Sequence, residues 1–261
     1  MSKSKSLVIL PTYMEKETLP VVLANVLSQE SADILVIDDN SPDGTGRIAE
    51  SWAGRDPRVH VMNRPGKMGL GTAYVAGFLW GLERDYDCFI EMDSDMSHNP
   101  LDLPRFIAEI DKGADLVIGS RYIGGKISVV GWDFKRLLLS KFANFYASRI
   151  LGSRLSDLTS GYRAFSRRAL EQVAFDEVHS GGYAFQIEMA YNFCMAGMRV
   201  EEIPIVFTER ASGSSKMSKA IIKEAVWLPW RLRLRRINSS FIGRALGMKK
   251  NMKKPSREAR G

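Results

Sequence analysis

Apolar and polar positions alternate in blocks along the first half of the chain. Leu7 to Leu10 is a strand-length apolar run closed by Pro11, apolar residues recur at helical spacing from Leu19 to Leu27, and Ile34 to Ile37 is a second strand-length run. The turn-forming stretch Asp38-Asp39-Asn40-Ser41-Pro42-Asp43-Gly44-Thr45 follows. It leads into a helix from about Thr45 to Ala53 and a short strand from Val59 to Met62. The pattern repeats: Gly69 to Leu82 reads as a helix, Cys88 to Met92 as a strand, Leu101 to Lys112 as a helix opened by Pro100, and Asp115 to Gly119 as a strand. Strands separated by helices predict an α/β domain with a mostly parallel central sheet flanked by helices.

Beyond Arg121 the pattern loosens. A Gly-rich connection at Gly124 and Gly125 precedes Phe134 to Leu151, a helical stretch that mixes apolar runs with Lys135, Arg136, Lys141 and Arg149. Ile221 to Arg236 has the same mixture, with Trp227, Trp230 and four arginines in its last six residues. Both suit a helix lying at a membrane interface; for the first, a core helix with a charged outer face serves equally well. From Gly243 the chain is polar and basic without periodicity, the composition of a disordered segment. The expected organisation is one α/β domain over 1–236, with interfacial helices near 134–151 and 221–236, and a basic tail over 237–261.

Charge sharpens that division. The chain of 261 residues carries a formal charge of +7, yet Arg231 to Gly261 holds eleven Lys or Arg against one Glu, leaving 26 cations against 29 anions in the body. A mildly acidic body without a nucleic-acid-binding motif argues against nucleic acid and for a tail that meets an anionic membrane surface. No run of about 18 apolar residues is present, and Met1 to Ser6 lacks the features of a secretory signal. The expected location is therefore cytoplasmic, peripheral to a membrane. Cys88 and Cys194 are far apart and suggest neither a disulfide framework nor a zinc site.

In open α/β sheets, ligands bind beyond the carboxyl ends of the strands, where the polar clusters of this chain fall. Asp93-Ser94-Asp95 ends one predicted strand, and two carboxylates at i and i+2 suit a hard divalent cation that bridges a diphosphate. An isolated Asp-x-Asp is more often a solvated turn, so its position carries the reading. Asp38 and Asp39 end another strand, where helix capping explains part of the pattern and a nucleotide contact by Asp39 explains the rest. Gly66 to Thr72 lacks the residue order of a phosphate loop and serves either as a tight turn or as a close approach to a nucleotide. His98 reads as structural, and Glu188 as ordering a loop of the site rather than acting as a base.

An ordered set of motifs then points to a family. Leu-Pro-Thr-Tyr-x-Glu at 10–15, Asp-Asp-Asn-Ser-Pro-Asp-Gly-Thr at 38–45, Gly-Leu-Gly-Thr-Ala-Tyr at 69–74 and Met-Asp-Ser-Asp-Met-Ser-His at 92–98 resemble the family-2 glycosyltransferases. Gly-Ser-Arg-Tyr at 119–122, Gly-Trp-Asp-Phe-Lys-Arg at 131–136, Ser-Asp-Leu-Thr-Ser-Gly-Tyr-Arg at 156–163, Gly-Tyr-Ala-Phe-Gln-Ile-Glu-Met at 182–189 and Glu-Arg-x-x-Gly-x-Ser-Lys at 209–216 narrow the resemblance to the branch that glycosylates polyprenyl phosphates. The resemblance implies a GT-A (nucleotide-diphospho-sugar transferase) fold and inverting transfer of mannose from GDP-mannose to a polyprenyl phosphate, assisted by Mg²⁺ or Mn²⁺. It implies that Pro11, Tyr13, Glu15, Ile37 and Asp39 hold the nucleoside, that Asp93, Ser94 and Asp95 hold the diphosphate, and that Asp93, Asp95 and Ser97 hold the metal. Arg121, Arg210 and Lys216 would neutralise phosphates, with Arg121, Arg136 and Ser140 receiving the acceptor phosphate; without the resemblance, Arg121 and Arg136 read as ion-pair partners. Transfer of glucose from UDP-glucose is the rival enzymatic reading, and a catalytically silent lipid- or nucleotide-binding adaptor the non-enzymatic one. A separate membrane-protein partner is an alternative route to the lipid.

Overall fold

The computed structural model describes residues 4–175, 182–209 and 226–234, the side chain of Tyr183 excepted. Strands β1 (Ser6–Thr12), β2 (Asp33–Asp38), β3 (Val59–Asn63) and β4 (Cys88–Glu91) alternate with helices α1 (Leu19–Leu27), α2 (Thr45–Ala53) and α3 (Leu70–Leu82). There follow α4 (Leu103–Asp111), β5 (Leu116–Ser120), a short β6 (Val129–Val130), α5 (Phe134–Leu151), β7 (Arg163–Ser166), the single turn α6 (Arg167–Leu170), α7 (Gly182–Met195), β8 (Val200–Pro204) and β9 (Phe207–Thr208). Residues 226–234 form a further helix, α8.

The main sheet has the order β3-β2-β1-β4-β7-β5-β8, and β6 pairs with β9 in a small second sheet. All neighbours in the main sheet are parallel except β7, which lies antiparallel between β4 and β5. Strands buried on both faces need apolar side chains in both directions, and the sequence supplies them. Leu7, Ile9, Leu35, Ile37 and Phe89 face a cluster with α3 and α7, whereas Val8, Leu10, Ile34, Val36 and Ile90 face one with α1 and α4. On α3, Gly77 and Gly81 let the helix sit against the sheet, since a Cβ on them would lie 2.6 Å from Ile9 and 2.5 Å from Phe89.

The chain winds from β1 outward through β2 and β3, then crosses to the other side of β1 to form β4. That reversal opens a crevice beyond the carboxyl ends of β1, β2 and β4. The antiparallel β7 was not foreseen. Its sequence Arg163-Ala164-Phe165-Ser166 begins with a charged residue that is wholly buried in the sheet, opposite Glu91.

Helix α5 buries only Asn144, Ala147 and Leu151, the last two within the core, and leaves its N-terminal half without a fully buried residue. Phe134, Leu138, Phe142 and Phe145, spaced along one stripe, stand 59 to 76% exposed. Among the described residues no helix is long and apolar enough to cross a membrane. The expected interfacial helix at 221–236 is described only over 226–234, and the basic tail at 237–261 lies outside the described residues.

Candidate active site

Three loops meet where the nucleoside contacts were expected. Ser94 Oγ donates to the carbonyl of Pro11 at 3.0 Å, joining the loop after β4 to the end of β1. The Asp39 amide donates to the Thr12 carbonyl at 3.1 Å, and the Glu15 amide to Thr45 Oγ1 at 2.9 Å. Pro11, Tyr13, Glu15, Ile37, Asp39 and Ser94 are thereby brought to one locus. The two adjacent acids at the end of β2 divide their tasks. Asp38 accepts from Thr12 Oγ1, from the Ser41 amide and from Ser41 Oγ, and so organises the turn. Asp39 is paired with a residue that the sequence reading passed over: Arg64 Nε lies 2.5 Å from Asp39 Oδ1 while Arg64 Nη1 donates to Thr72 Oγ1 at 2.9 Å. One guanidinium thus ties Asp39 to the Gly66–Thr72 segment, and Lys67 Nζ lies 4.8 Å from the centre of the Tyr13 ring. Like charge at Asp38 and Asp39 is offset by that arginine, which sits in a strand-end position without a motif to mark it.

The loop after β4 is held by its own side chains. Asp95 Oδ1 accepts the Ser97 amide at 3.0 Å, an Asx-type turn, and Met96 between them takes φ +66°. His98 Nδ1 accepts the Asp93 amide at 3.0 Å, so the ring proton resides on Nε2, 3.9 Å from Asp93 Oδ2. The imidazole is buried between Tyr162, 4.7 Å away and stacked, and Phe207, edge-on at 5.6 Å. This is the structural task expected of His98, and it sets the position of Asp93. Burial, and after it the negative charges of Asp93, Glu91 and Asp95, hold the Tyr74 hydroxyl well above its usual pKa, a sign of concentrated anionic potential at the end of β4.

That donor set fits a hard divalent cation. It consists of two carboxylates and the hydroxyl of Ser97, which is buried and without a hydrogen-bond partner among the described residues. No group of three His, Cys, Asp or Glu gathers around one point among the described residues, so these residues would supply only part of a coordination shell. Mg²⁺ and Mn²⁺ characteristically accept that, completing the shell with phosphate oxygens and water.

The residues expected to receive the acceptor phosphate differ in exposure. Arg121 is only 5% exposed and its guanidinium grips Asp157 in a bidentate pair, Nε to Oδ2 at 2.6 Å and Nη2 to Oδ1 at 2.8 Å, with Nη2 also on Thr159 Oγ1 at 2.8 Å. Burial opposes ionisation of Asp157, but the Arg121 charge and hydrogen bonds outweigh it and keep the carboxyl below its ordinary range. The ion-pair reading of Arg121 describes this geometry, in which Asp157 balances its charge. Arg136 is more accessible: it pairs with Glu209 at 2.7 Å and lies 4.4 Å from the Trp132 ring centre. Ser140 Oγ accepts from Tyr122 Oη at 2.8 Å. Trp132 meets Phe207 at 5.4 Å, and Phe207 meets His98, so an aromatic chain links the start of α5 to the Asp93 loop. Arg210 and Lys216 lie outside the described residues.

Beneath the site is a buried charged cluster that the sequence pattern did not reveal. Arg163 is fully buried and donates to the carbonyls of Ser160, Gln186 and Leu158 at 2.7 to 2.8 Å; burial lowers its pKa to about 10, opposed by Glu91 and Asp157. Glu91, equally buried, accepts from Gln186 Nε2 at 2.7 Å, and burial raises its pKa to about 8 despite the nearby Arg163. Glu188 is 1% exposed on α7, inside the protein.

Comparison with known proteins matches this arrangement to a family. The family model described as glycosyl transferase family 2 matches residues 7–174. Polyprenol monophosphomannose synthase of Mycolicibacterium smegmatis is 49% identical over 225 residues, covering 85% of this chain and 84% of that protein. Undecaprenyl-phosphate mannosyltransferase of Micrococcus luteus is 47% identical over 222 residues, covering 84% of this chain and 90% of that protein. Among solved structures, glucosyl-3-phosphoglycerate synthase from Mycobacterium tuberculosis in complex with phosphoglyceric acid superposes with a TM-score of 0.63 at 20% identity, over 87% of this chain and 80% of that one. The same enzyme with Mn²⁺, UDP-glucose and phosphoglyceric acid gives a TM-score of 0.62 at 20% identity, again over 87% and 80%. The GT-A architecture is thus the fold of this chain.

Proposed function

This chain belongs to glycosyl transferase family 2, and we propose that it transfers a mannosyl group from GDP-mannose to the phosphate of a polyprenyl phosphate. It is a glycosyltransferase that forms polyprenyl-phosphate mannose. The observation that supports the reading is the chain of contacts through His98, Phe207 and Trp132, which runs from the loop of Asp93 and Ser94, tied to Pro11, to Arg136 at the start of α5.

In this reading Pro11, Tyr13, Glu15, Ile37 and Asp39 receive the nucleoside, with Arg64 fixing the Asp39 carboxylate. Ser94 lies against the diphosphate, and Asp93, Asp95 and Ser97 hold Mg²⁺ or Mn²⁺. When bound, the cation neutralises the diphosphate and so stabilises the departing GDP. An acceptor phosphate oxygen forms the new bond to the anomeric carbon as the bond to the GDP oxygen breaks on the opposite face, which inverts that carbon. The acceptor is already an anion, so no strong general base is required. The protein's work is to align two anions that repel each other and to offset their charge. Arg136 and Ser140 meet the acceptor phosphate, with Arg210 and Lys216 as further phosphate contacts. Arg121, through Asp157, stabilises the loop beneath them.

The lipid tail of such an acceptor lies in a bilayer, and the outward stripe Phe134, Leu138, Phe142 and Phe145 supports peripheral docking at its cytoplasmic face. Tyr146 Oη donates to the Val226 carbonyl at 3.0 Å and accepts from Trp230 Nε1 at 2.9 Å, which joins α5 to α8 and its 65%-exposed Trp227. The basic tail supplies attraction to anionic lipid.

Transfer of labelled mannose from GDP-mannose to a polyprenyl phosphate, run beside UDP-glucose and beside Asp95→Ala, tests the proposal. Transfer from GDP-mannose that the substitution abolishes is the expected result. Transfer from UDP-glucose alone would overturn the donor, and undiminished turnover by Asp95→Ala would overturn the metal site.

A further inference from the structure

We infer that Asn144 is the positioning residue of the acceptor half-site, a role that rests on the reading of Arg136 and Ser140 as acceptor contacts. Arg136, Ser140 and Asn144 follow one another at intervals of four along α5 and share one stripe of the helix, opposite the exposed Phe134, Leu138 and Phe142. No residue of α5 before Asn144 is buried. In the N-terminal half of the helix, which carries the proposed acceptor residues, Leu137 is the one apolar side chain that is not exposed, so polar contacts bear much of the positioning.

Asn144 makes more of these than any other α5 side chain among the described residues. Its Nδ2 donates to Thr159 Oγ1 at 3.0 Å, to Asp157 Oδ1 at 3.3 Å and to the Ser140 carbonyl at 3.3 Å, and its Oδ1 accepts the Leu158 amide at 2.9 Å. Thr159 Oγ1 and Asp157 Oδ1 are the atoms that also receive Arg121 Nη2. A single amide thus fastens α5 to the buried Arg121–Asp157 pair, one turn from Ser140 and two from Arg136. It is 4% exposed, and it meets the proposed acceptor residues only at the Ser140 backbone carbonyl, so it acts through the helix it holds. Tyr122 Oη on Ser140, and Glu209 with the Trp132 ring on Arg136, are further ties of the acceptor residues, nearer the surface.

A carboxyl in place of this amide would lose both N–H donors and set a second anion against Asp157, tilting the start of α5 away from the crevice. The test compares Asn144→Asp, Asn144→Ala and Tyr122→Phe with Arg136→Ala in the full chain. It measures KM for a short-chain polyprenyl phosphate, KM for GDP-mannose, kcat and thermal midpoint. Asn144→Ala is expected to raise the acceptor KM about tenfold, the equivalent of one lost buried hydrogen bond, with the donor KM within about twofold of the parent. Tyr122→Phe, which removes a single tie and keeps the ring, is expected to raise the acceptor KM about threefold without loss of fold and so serves if the Asn144 variants do not fold.

Parallel loss of donor and acceptor affinity, or an acceptor KM unchanged in whichever of these variants folds, would overturn the inference. Arg136→Ala separates the two levels. If it leaves the acceptor KM unchanged, the acceptor reading itself falls; if it raises the KM while the Asn144 and Tyr122 variants do not, only the positioning role falls.

Discussion

Glu91→Gln preserves the shape of a buried side chain and removes its ability to ionise. In the folded protein burial raises the Glu91 pKa from 4.5 to about 8, with Arg163 and Gln186 only partly opposing the shift. Between those values the folded chain holds a proton that the unfolded chain has released, so rising pH favours unfolding. The Glu91 contribution is fully present below about pH 4.5 and is lost as pH climbs through 8. One pKa unit corresponds to about 1.4 kcal/mol, so linkage over that window removes about 3 kcal/mol of stability between pH 5 and pH 8. Glu91→Gln lacks this slope while retaining an oxygen for Gln186 Nε2. The parent and the variant, unfolded in urea at pH 5, 6, 7 and 8 and followed by tryptophan fluorescence, are expected to diverge, the variant gaining about 3 kcal/mol relative to the parent across the series. Parallel stability curves would mean that Glu91 is ionised in the fold and neutralised by Arg163, which would refute the reasoning.

Asp157→Asn leaves the Arg121 guanidinium buried without its counter-ion and is expected to cost about 3–5 kcal/mol in chemical denaturation; a loss below about 1 kcal/mol would show that water or a ligand balances Arg121 instead. Arg64→Met frees the Asp39 carboxylate and is expected to raise the donor KM about tenfold, with the acceptor KM unchanged, as one charge-assisted hydrogen bond is lost; initial-rate kinetics with each substrate varied in turn checks it. Phe142→Glu with Phe145→Glu places two anions on the outward stripe of α5. Co-sedimentation with anionic vesicles is expected to fall about tenfold or more while turnover of a detergent-dispersed short-chain acceptor persists, and undiminished sedimentation would remove α5 from the membrane surface.

The alternation of strand-length apolar runs and helical periodicity determined the parallel half of the sheet, because residues 6–120 build it from local βαβ units whose strands are buried on both faces. Polar clusters at the ends of those strands located the crevice, and the ordered motifs identified the family. Helix α5 was legible in extent, Phe134 to Leu151, but not in orientation, since most of its large apolar side chains face outward while the stripe that meets the protein mixes Asn144 with Ala147 and Leu151. Strand β7 was illegible because it opens with an arginine, a residue that enters a sheet interior only when three carbonyls and a nearby carboxylate receive it. The partners of Asp39, Arg121 and Glu91 are equally matters of tertiary structure: Arg64, Asp157 and Gln186 stand 25, 36 and 95 residues away. Local sequence determines where a strand ends and which charge stands there. Only the assembled sheet decides whether that charge is offset by another side chain or left to meet a substrate, because pairing depends on distances that chain separation does not encode.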